Sequence, residues 1–445
     1  MNKNELINEM NLINFPEEVD SSAGIRFYGE TSYENQMAVL SQFLHNSGNE
    51  EIREKKSEII SAVRDFLLRK QFRQGKLEED EWTDDRILKV ADDAFQYEIF
   101  GDFFNVPFPS PKYPKFTFID LFAGIGGFRI AMQELGGKCV YSSEFDAQAQ
   151  RTYFANYGEM PFGDITKEST KSFIPDNFDI LCGGFPCQAF SLAGRRLGFE
   201  DETRGTLFFE IEEILRRKQP KAFFLENVKG LIIHKSGQTI KTILKHLADA
   251  GYDVVPPQIV NAMDFGVPQH RERVYIIGFR KDLNIDIRKF KYPEPQTTGA
   301  NRVHFIDIRE EKPVPAKYYL STQYMATLVA HKARHEAKGN GFGYEIIRDD
   351  EVANAIVVGG MGRERNLVID KRQKDLTPTT NIKGVVNSEG IRRMTPREWA
   401  RLQGFPDSFK IVVSDASAYK QFGNSVAIPA VKATARQELE MLNII

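Results

Sequence analysis

The sequence is poor in cysteine and has no long apolar run. Only Cys139, Cys182 and Cys187 occur among its 445 residues, and no pair has CxxC spacing. Such a small, odd number supports neither a disulfide framework nor a zinc site, so we expect no bound metal. No stretch approaches the roughly 20 apolar residues of a membrane span, and the first residues lack the apolar segment of a secretory signal. These absences predict a cytoplasmic protein without a membrane partner.

Charge is unevenly distributed along the chain. The net charge is only −3, yet residues 1–112 carry about 13 basic and 22 acidic side chains, whereas the remainder carries about 46 basic and 40 acidic ones. A hydrophobic share of 41% supports a globular core. The acidic beginning and the more basic remainder are therefore predicted to be different modules, and the small net charge does not exclude a nucleic-acid partner.

The pattern of apolar residues divides the chain into four parts. Residues 1–112 have helical spacing followed by a proline-rich linker, which predicts a helical appendage that serves packing rather than catalysis. In residues 113–295 short apolar runs alternate with helical stretches, as is typical of a parallel sheet with helices on both faces. Residues 296–390 are rich in Gly, Pro, Arg and Asn, which indicates a second, loop-rich domain. Residues 391–445 are helix-compatible and are predicted to return to the sheet.

Three groups suited to covalent chemistry follow apolar runs in the middle of the chain. The segment 183–191 reads GGFPCQAFS and places Cys187 in a Gly/Pro-rich loop. Glu226 ends a second apolar run, and Arg271 and Arg273 begin a third. A free cysteine is most often buried and inert, but a thiol, a carboxyl and arginines at successive strand ends are the groups that attack a ring covalently while holding its polar edge. We therefore predict that Cys187 is a nucleophile.

A glycine-rich turn predicts a cofactor site. Residues 118–127, FIDLFAGIGG, enter a turn in which the backbone can approach a ligand closely. Glu144, 20 residues after Gly124, is placed to accept hydrogen bonds from ribose hydroxyls, and Asp164 suits an adenine amino group. The third glycine of the dinucleotide fingerprint is absent. The pattern therefore favours S-adenosylmethionine over a dinucleotide.

These groups fit methylation of cytosine at C5. That carbon is a poor nucleophile until a thiolate, here Cys187, attacks C6. Glu226 is predicted to hold the N3 and amino edge and Arg273 to face O2, while Arg271 supports either the loop or a phosphate. The target carbon is inaccessible inside a duplex, so the base must be flipped out. A basic loop from Ser191 is predicted to close on the DNA, with Arg204 next to the phosphates.

In this order the motifs resemble those of the DNA (cytosine-5)-methyltransferases of bacterial restriction-modification systems. The resemblance covers about residues 113–440 and includes 120–127, 186–188, 226–228, 269–273, 393–398 and 421–426. It implies a Rossmann-like α/β S-adenosylmethionine-dependent methyltransferase sheet with a loop-rich target recognition domain, and a last motif that places Asn424 and Ser425 beside Gly124. The implied cofactor-binding residues are Phe122, Gly124, Gly127, Glu144, Phe145, Asp164, Pro186, Leu207 and Asn424. The implied DNA-binding residues of the catalytic loop are Gln188, Ser191 and Arg204.

The variable region resembles that of methylases that modify the inner cytosine of CCGG. The similarity lies in residues 338–345 and 357–367. Arginine reads guanine in the major groove, so Arg363 and Arg365 are predicted readers, the alternative being contact with phosphates only. The implied partners are double-stranded DNA and, functionally, a restriction endonuclease that acts on the same site, with the methylase itself a monomer.

Two other functions compete with this interpretation. An RNA cytosine methyltransferase shares the scaffold, but that branch lacks a large recognition domain, whereas about 95 residues separate Pro295 from Gly390. A non-catalytic DNA-binding regulator on a decayed scaffold is disfavoured because Cys187, Glu226 and Arg273 are all present.

Overall fold

The computed structural model describes Ala38 and residues 106–186, 207–341, 343–359, 362–377 and 384–445. Its strands are β1 Phe116–Leu121, β2 Gly137–Ser143, β3 Ile180–Gly184, β4 Ala222–Val228, β5 Tyr252–Val254, β6 Gln258–Asn261, β7 Gln269–His270, β8 Glu272–Arg280, β9 Ile346–Ile347, β10 Ala353–Asn354, β11 Leu367–Ile369 and β12 Ile391–Arg393. Its α-helices from residue 106 onward are α1 Gly127–Glu134, α2 Ala147–Tyr157, α3 Glu168–Lys171, α4 Leu207–Lys218, α5 Gly230–Ile233, α6 Gln238–Asp249, α7 Phe305–Ile308, α8 Thr322–Glu336, α9 Pro396–Leu402, α10 Asp415–Asn424 and α11 Ile428–Met441. Most of the predicted appendage lies outside the described residues.

These residues fall into two compact units. The first contains the described residues up to Ser110 together with Val140–Asn177. The second contains Pro111–Cys139 and the described residues from Phe178 to Ile445. Within the described residues no helix is both long and apolar enough to cross a membrane.

The second unit is built on a sheet in which the strand order β1-β3-β4-β8-β5 includes both parallel and antiparallel pairs. β1, β3 and β4 run parallel. β8 is antiparallel to β4, and both β5 and β6 are antiparallel to β8. The α/β prediction is confirmed, and the expectation of a parallel sheet holds for β1, β3 and β4 but was wrong for β8. A parallel return requires a crossover of a dozen or more residues, whereas the chain from β6 to β8 is too short for one.

The centre of this sheet is buried on both faces, which explains its apolar runs. Phe223, Phe224 and Leu225 of β4 are fully buried, and so are Ile180 and Leu181 of β3. Because the parallel strands end at the same edge, the side chains that follow them are brought together. This edge of the sheet carries the predicted site.

The first unit is organised around stacked aromatic rings. Tyr141 and Phe162 stack with ring centroids 4.7 Å apart, and Phe162 and Phe173 stack at 4.9 Å. An isolated bridge pairs Ser143 with Phe162. Asp146 caps α2 by accepting hydrogen bonds from its first amides. The bridge brings the end of β2 next to the segment that continues to residue 164.

The described part of residues 296–390 contains the 15-residue helix α8 and otherwise only short elements. β12, β11 and β9 form a three-stranded sheet, and β10 pairs with β7, which precedes the long strand β8. The helix α9 then begins with a capping box, in which Thr395 accepts from the amide of Glu398 and the Glu398 side chain accepts from the amide of Thr395. Glu398 also forms a buried ion pair with Arg392, Nη1 to Oε2 2.7 Å. The predicted motif at 393–398 is therefore mainly a helix start.

Candidate active site

The loop that carries the predicted nucleophile leaves the sheet at the end of β3. Phe185 is buried, and its carbonyl accepts a hydrogen bond of 2.9 Å from Nδ2 of Asn227. Pro186 is exposed. Asn227 therefore fixes the entry of the loop from the neighbouring strand. Four predicted residues lie outside the described part of the chain: Cys187, Gln188, Ser191 and Arg204.

Glu226 and Arg273 form an ion pair beside this loop entry. The distance from Arg273 Nε to Glu226 Oε1 is 3.0 Å, with side chains only 15% and 11% exposed. The contact lacks hydrogen-bond alignment, so no described group donates a hydrogen bond to that carboxylate oxygen. A Cβ placed on Gly184 would lie 3.7 Å from the other oxygen, Oε2. The structure thus brings together the carboxyl, the arginine and the strand end that leads to the nucleophile loop.

Arg271 has a different position, buried behind the ion pair. It is 3% exposed, and its guanidinium donates to the carbonyls of Ile356 (3.1 Å), Gly423 (3.2 Å) and Ser425 (2.7 Å). Burial, and next the nearby positive charge of Arg273, lower the pKa of Arg271 from its ordinary value. Of the two roles that the sequence left open, this geometry favours support of a loop over contact with a phosphate.

Gln269 and Gln403 are buried polar residues to which the sequence analysis gave no role, although Gln269 lies in the motif at 269–273. Gln269 donates to the carbonyl of Leu402 (2.8 Å) and accepts from the amide of Ile356 (2.9 Å). Gln403 donates to the carbonyls of Phe422 (2.8 Å) and residue 425 (3.2 Å). A buried side-chain amide needs hydrogen-bond partners, so a buried glutamine is a sign of such a contact. The partners of Gln269 and Gln403 lie on other segments of the chain, and the local sequence does not identify them.

The glycine-rich turn after β1 adopts an unusual backbone conformation. Phe122, Gly124 and Gly126 have φ angles of 55°, 55° and 82°. A Cβ added to Gly127 would lie 2.8 Å from the hydroxyl oxygen of Ser425, so glycine is required for this close approach. The last motif therefore adjoins the turn, with Ser425 against the first residue of α1. Asn424, at the end of α10, is exposed.

The remaining described residues of the predicted cofactor site have these surroundings. Leu207 is partly buried and begins α4. In the first unit, Glu144 is buried and Phe145 is an aromatic side chain that is 77% exposed. Asp164 accepts hydrogen bonds from the amide (3.0 Å) and the hydroxyl (2.8 Å) of Thr166. The structure shows these local contacts, and the binding roles stay predictions.

The predicted DNA readers lie in the second unit, at a short turn before β11. The guanidinium carbon of Arg363 lies 5.5 Å from the centre of the Tyr419 ring. Arg365 is partly exposed, and Glu364 between the two arginines is buried.

The structure thus shows an α/β fold with a carboxylate–guanidinium pair at one edge of its sheet. A family model described as C-5 cytosine-specific DNA methylase matches residues 116–440. The chain belongs to the C-5 cytosine-specific DNA methylase family, and it is a DNA cytosine-5 methyltransferase.

Relatives and solved structures agree with this assignment. The type II methyltransferase M.HpaII of Haemophilus parainfluenzae is 68% identical over 361 residues, which span 81% of this chain and 97% of the relative. M.HhaI of Haemophilus parahaemolyticus, also a type II methyltransferase, is 39% identical over 72% of this chain and 92% of its own length. The crystal structure of S. pombe Dnmt2 methyltransferase has a TM-score of 0.54 and 20% identity, covering 74% of this chain and 99% of that one. At that identity the structural match supports the fold, and the fold class is confirmed.

Proposed function

We propose that this enzyme methylates the inner cytosine of CCGG in duplex DNA, with S-adenosylmethionine as donor and a covalent bond between Cys187 and C6 of the base. It would protect DNA from a restriction endonuclease that cuts the same site, acting in the cytoplasm as a monomer. The 68% identity to a type II methyltransferase supports the restriction-modification context. The observation that carries the chemistry is the Glu226–Arg273 ion pair at the start of the nucleophile loop.

The turn after β1 fits the proposed cofactor. Its left-handed residues turn the backbone sharply, and α1 begins at Gly127 without a side-chain cap. Uncapped amides at a helix start suit a carboxylate, and a glycine turn allows a bulky ligand close to the backbone. Phe122, Gly124 and Asn424 are proposed to contact the cofactor there. When bound, S-adenosylmethionine supplies an electrophilic methyl group.

The chain's own residues would activate the base. The Cys187 thiolate forms a bond to C6, and the electron pair of the C5–C6 double bond becomes available at C5. Glu226 holds N3 and the amino group, which stabilises the ring as N3 gains a proton, and Arg273 holds O2. After C5 has accepted the methyl group, loss of the C5 proton to water restores the C5–C6 double bond, the Cys187 thiolate leaves with the electron pair of the C6–sulfur bond, and N3 gives up the proton it had gained. The ring and the free cysteine are then restored.

Sequencing of methylated cytosines tests this proposal. Plasmid DNA from cells that express the chain is treated with bisulfite, with a Cys187→Ala variant as the matched control. We expect protected cytosines at the inner position of CCGG for the active chain only. Methylation centred on another motif would overturn the recognition site and leave the chemistry intact. Transfer to tRNA in place of duplex DNA would overturn the substrate.

A further inference from the structure

The short turn that carries the two predicted reading arginines is held in place by the buried carboxylate of Glu364. Glu364 is 3% exposed. Its Oε1 accepts hydrogen bonds from Nε and Nη2 of Arg393 (3.0 and 2.9 Å) and from the hydroxyl of Tyr324 (3.1 Å). The Arg393 guanidinium also lies over the Tyr324 ring, 5.3 Å from its centre. Charge-assisted hydrogen bonds of this kind are stronger than neutral ones, so the side chain between the arginines is firmly anchored.

The backbone on both sides of Glu364 is held as well. The carbonyl of Glu364 accepts from the amide of Glu345 (3.1 Å). The carbonyl of Arg365 accepts from Nδ2 of Asn354 (3.1 Å), and the buried Asn366 exchanges hydrogen bonds with the backbone of the same Asn354 (2.8 and 3.1 Å). The direction in which the neighbouring side chains leave the turn is therefore set before any DNA is bound.

The two arginines leave this turn toward different surroundings. Arg363 covers the ring of Tyr419, which is itself 6% exposed and donates its hydroxyl proton to the carbonyl of Met394. Arg363 is itself exposed, and the attraction of a guanidinium to an aromatic face favours this position over the ring. Arg365 is partly exposed, and within the described part of the chain its guanidinium has no hydrogen bond, ion pair or ring contact.

We propose that the triplet divides its tasks: Arg365 reads guanine, Arg363 docks the turn onto Tyr419 of α10, and Glu364 is the positioning residue that aims Arg365. This rests on the proposed function, because it assigns roles within the recognition of CCGG. It replaces the expectation that both arginines read bases. An arginine that reads guanine must present both edges of its planar fork to O6 and N7; the ring contact holds Arg363 against the protein although it is exposed, whereas among the described residues no such contact holds Arg365.

Methyl transfer to a set of duplexes tests the division. The purified full chain is given one duplex with CCGG and others with a single base pair of that site replaced, and kcat/KM is measured for each. Wild-type preference for CCGG is measured first, and its absence would overturn the proposed function alone. The variants are then compared on whichever sequence the wild type prefers.

We expect Arg365→Ala to lose discrimination at one base pair by about 5- to 150-fold, the usual worth of a bidentate guanine contact. Arg363→Ala should lower kcat/KM on all duplexes alike and change their ratios by less than about threefold. The matched control is Arg348→Ala, which removes an exposed arginine paired with Asp350 in the same region. Equal loss of discrimination in the two arginine variants, or none in Arg365→Ala, would overturn the proposal.

Glu364 is tested by a pair of variants. Glu364→Ala should lose discrimination as Arg365→Ala does, whereas Glu364→Gln keeps an oxygen at the Oε1 position and should restore most of it. General loss of stability lowers activity on all duplexes together and does not change their ratio. If Glu364→Ala fails to fold, Tyr324→Phe removes one of the three donors and should weaken discrimination partially. Unchanged ratios in every folded variant of this network would remove Glu364 from the positioning role.

Discussion

Replacing Glu438 by glutamine should stabilise the protein, and increasingly so as the pH rises. Glu438 lies on α11 and is fully buried, and among the described residues neither of its carboxylate oxygens has a hydrogen-bond partner. Burial raises the pKa of this carboxyl from 4.5 to about 8. It lies close enough to Cys182 and Tyr292 for its charge to raise the pKa of each of them as well. The native protein therefore holds Glu438 protonated at neutral pH, when the unfolded chain has released that proton.

The sign and size of the effect follow from this difference. A carboxyl with a raised native pKa contributes stability that is complete below pH 4.5 and is lost as the pH rises to about 8. At about 1.4 kcal/mol per pKa unit, the full loss is on the order of 4–5 kcal/mol. Glutamine has a similar shape and does not ionise, so it removes the pH dependence. The variant should be more stable by roughly 1 kcal/mol near pH 5.5, 3 near pH 7 and 4 near pH 8.

Thermal unfolding of wild type, Glu438→Gln and a control at these three pH values provides the measurement. Glu440→Gln is the matched control, because it changes an exposed glutamate two residues away on the same helix. The gain in Tm of the Glu438 variant should grow by several degrees between the lowest and highest pH, and the control should show no such trend. A gain that is constant with pH, or a loss at neutral pH, would refute a protonated native carboxyl.

Three further predictions concern the site. Cys187→Ser should abolish methyl transfer and the covalent adduct with 5-fluorocytosine DNA, because a hydroxyl is far less acidic than a thiol. Duplex binding should persist. An adduct retained by Cys187→Ala would show that the nucleophile is another residue. Glu226→Gln should lower the single-turnover rate by roughly 10²- to 10⁴-fold with little change in cofactor titration, and the reverse pattern would place Glu226 in the cofactor site. Arg271→Lys should lower the free energy of unfolding by roughly 2–4 kcal/mol, because the single nitrogen of an ammonium replaces two separate guanidinium nitrogens that now donate to three buried carbonyls. An unchanged Tm would contradict this positioning role.

Local sequence patterns predicted the elements that hold the site. The apolar runs that end at Leu181 and Leu225 became β3 and β4, because uninterrupted apolar residues are required where a strand is buried on both faces. The glycine turn after β1 was predictable because only a few residues tolerate its positive φ angles. The antiparallel direction of β8 was not, since a short apolar run has the same composition in either direction.

Local sequence patterns could not predict the contacts between segments that are distant in sequence. Arg271 and Arg273 are only two residues apart in sequence. Arg273 pairs with Glu226, whereas Arg271 donates to carbonyls that are 85 to 154 residues away. The sequence predicted different roles for the two arginines, but it could not predict these contacts. Nor could it predict the different surroundings of Arg363 and Arg365, which depend on the distant Tyr419.

Hydrogen bonds around Ile356 connect the segment that precedes Arg273 with the turn that carries Arg363 and Arg365. Its amide donates to Gln269 and its carbonyl accepts from Arg271, so both backbone polar groups of Ile356 are held by residues that precede Arg273. Asn354, two residues before Ile356, donates a hydrogen bond to the carbonyl of Arg365 in the turn that carries the two predicted reading arginines. Leaving a buried polar group without its hydrogen-bond partner costs on the order of 1 kcal/mol or more. This segment cannot shift without breaking several such hydrogen bonds at once. If the proposed roles hold, we expect these hydrogen bonds, rather than the surrounding loops, to set the distance between the base that is read and the base that is methylated.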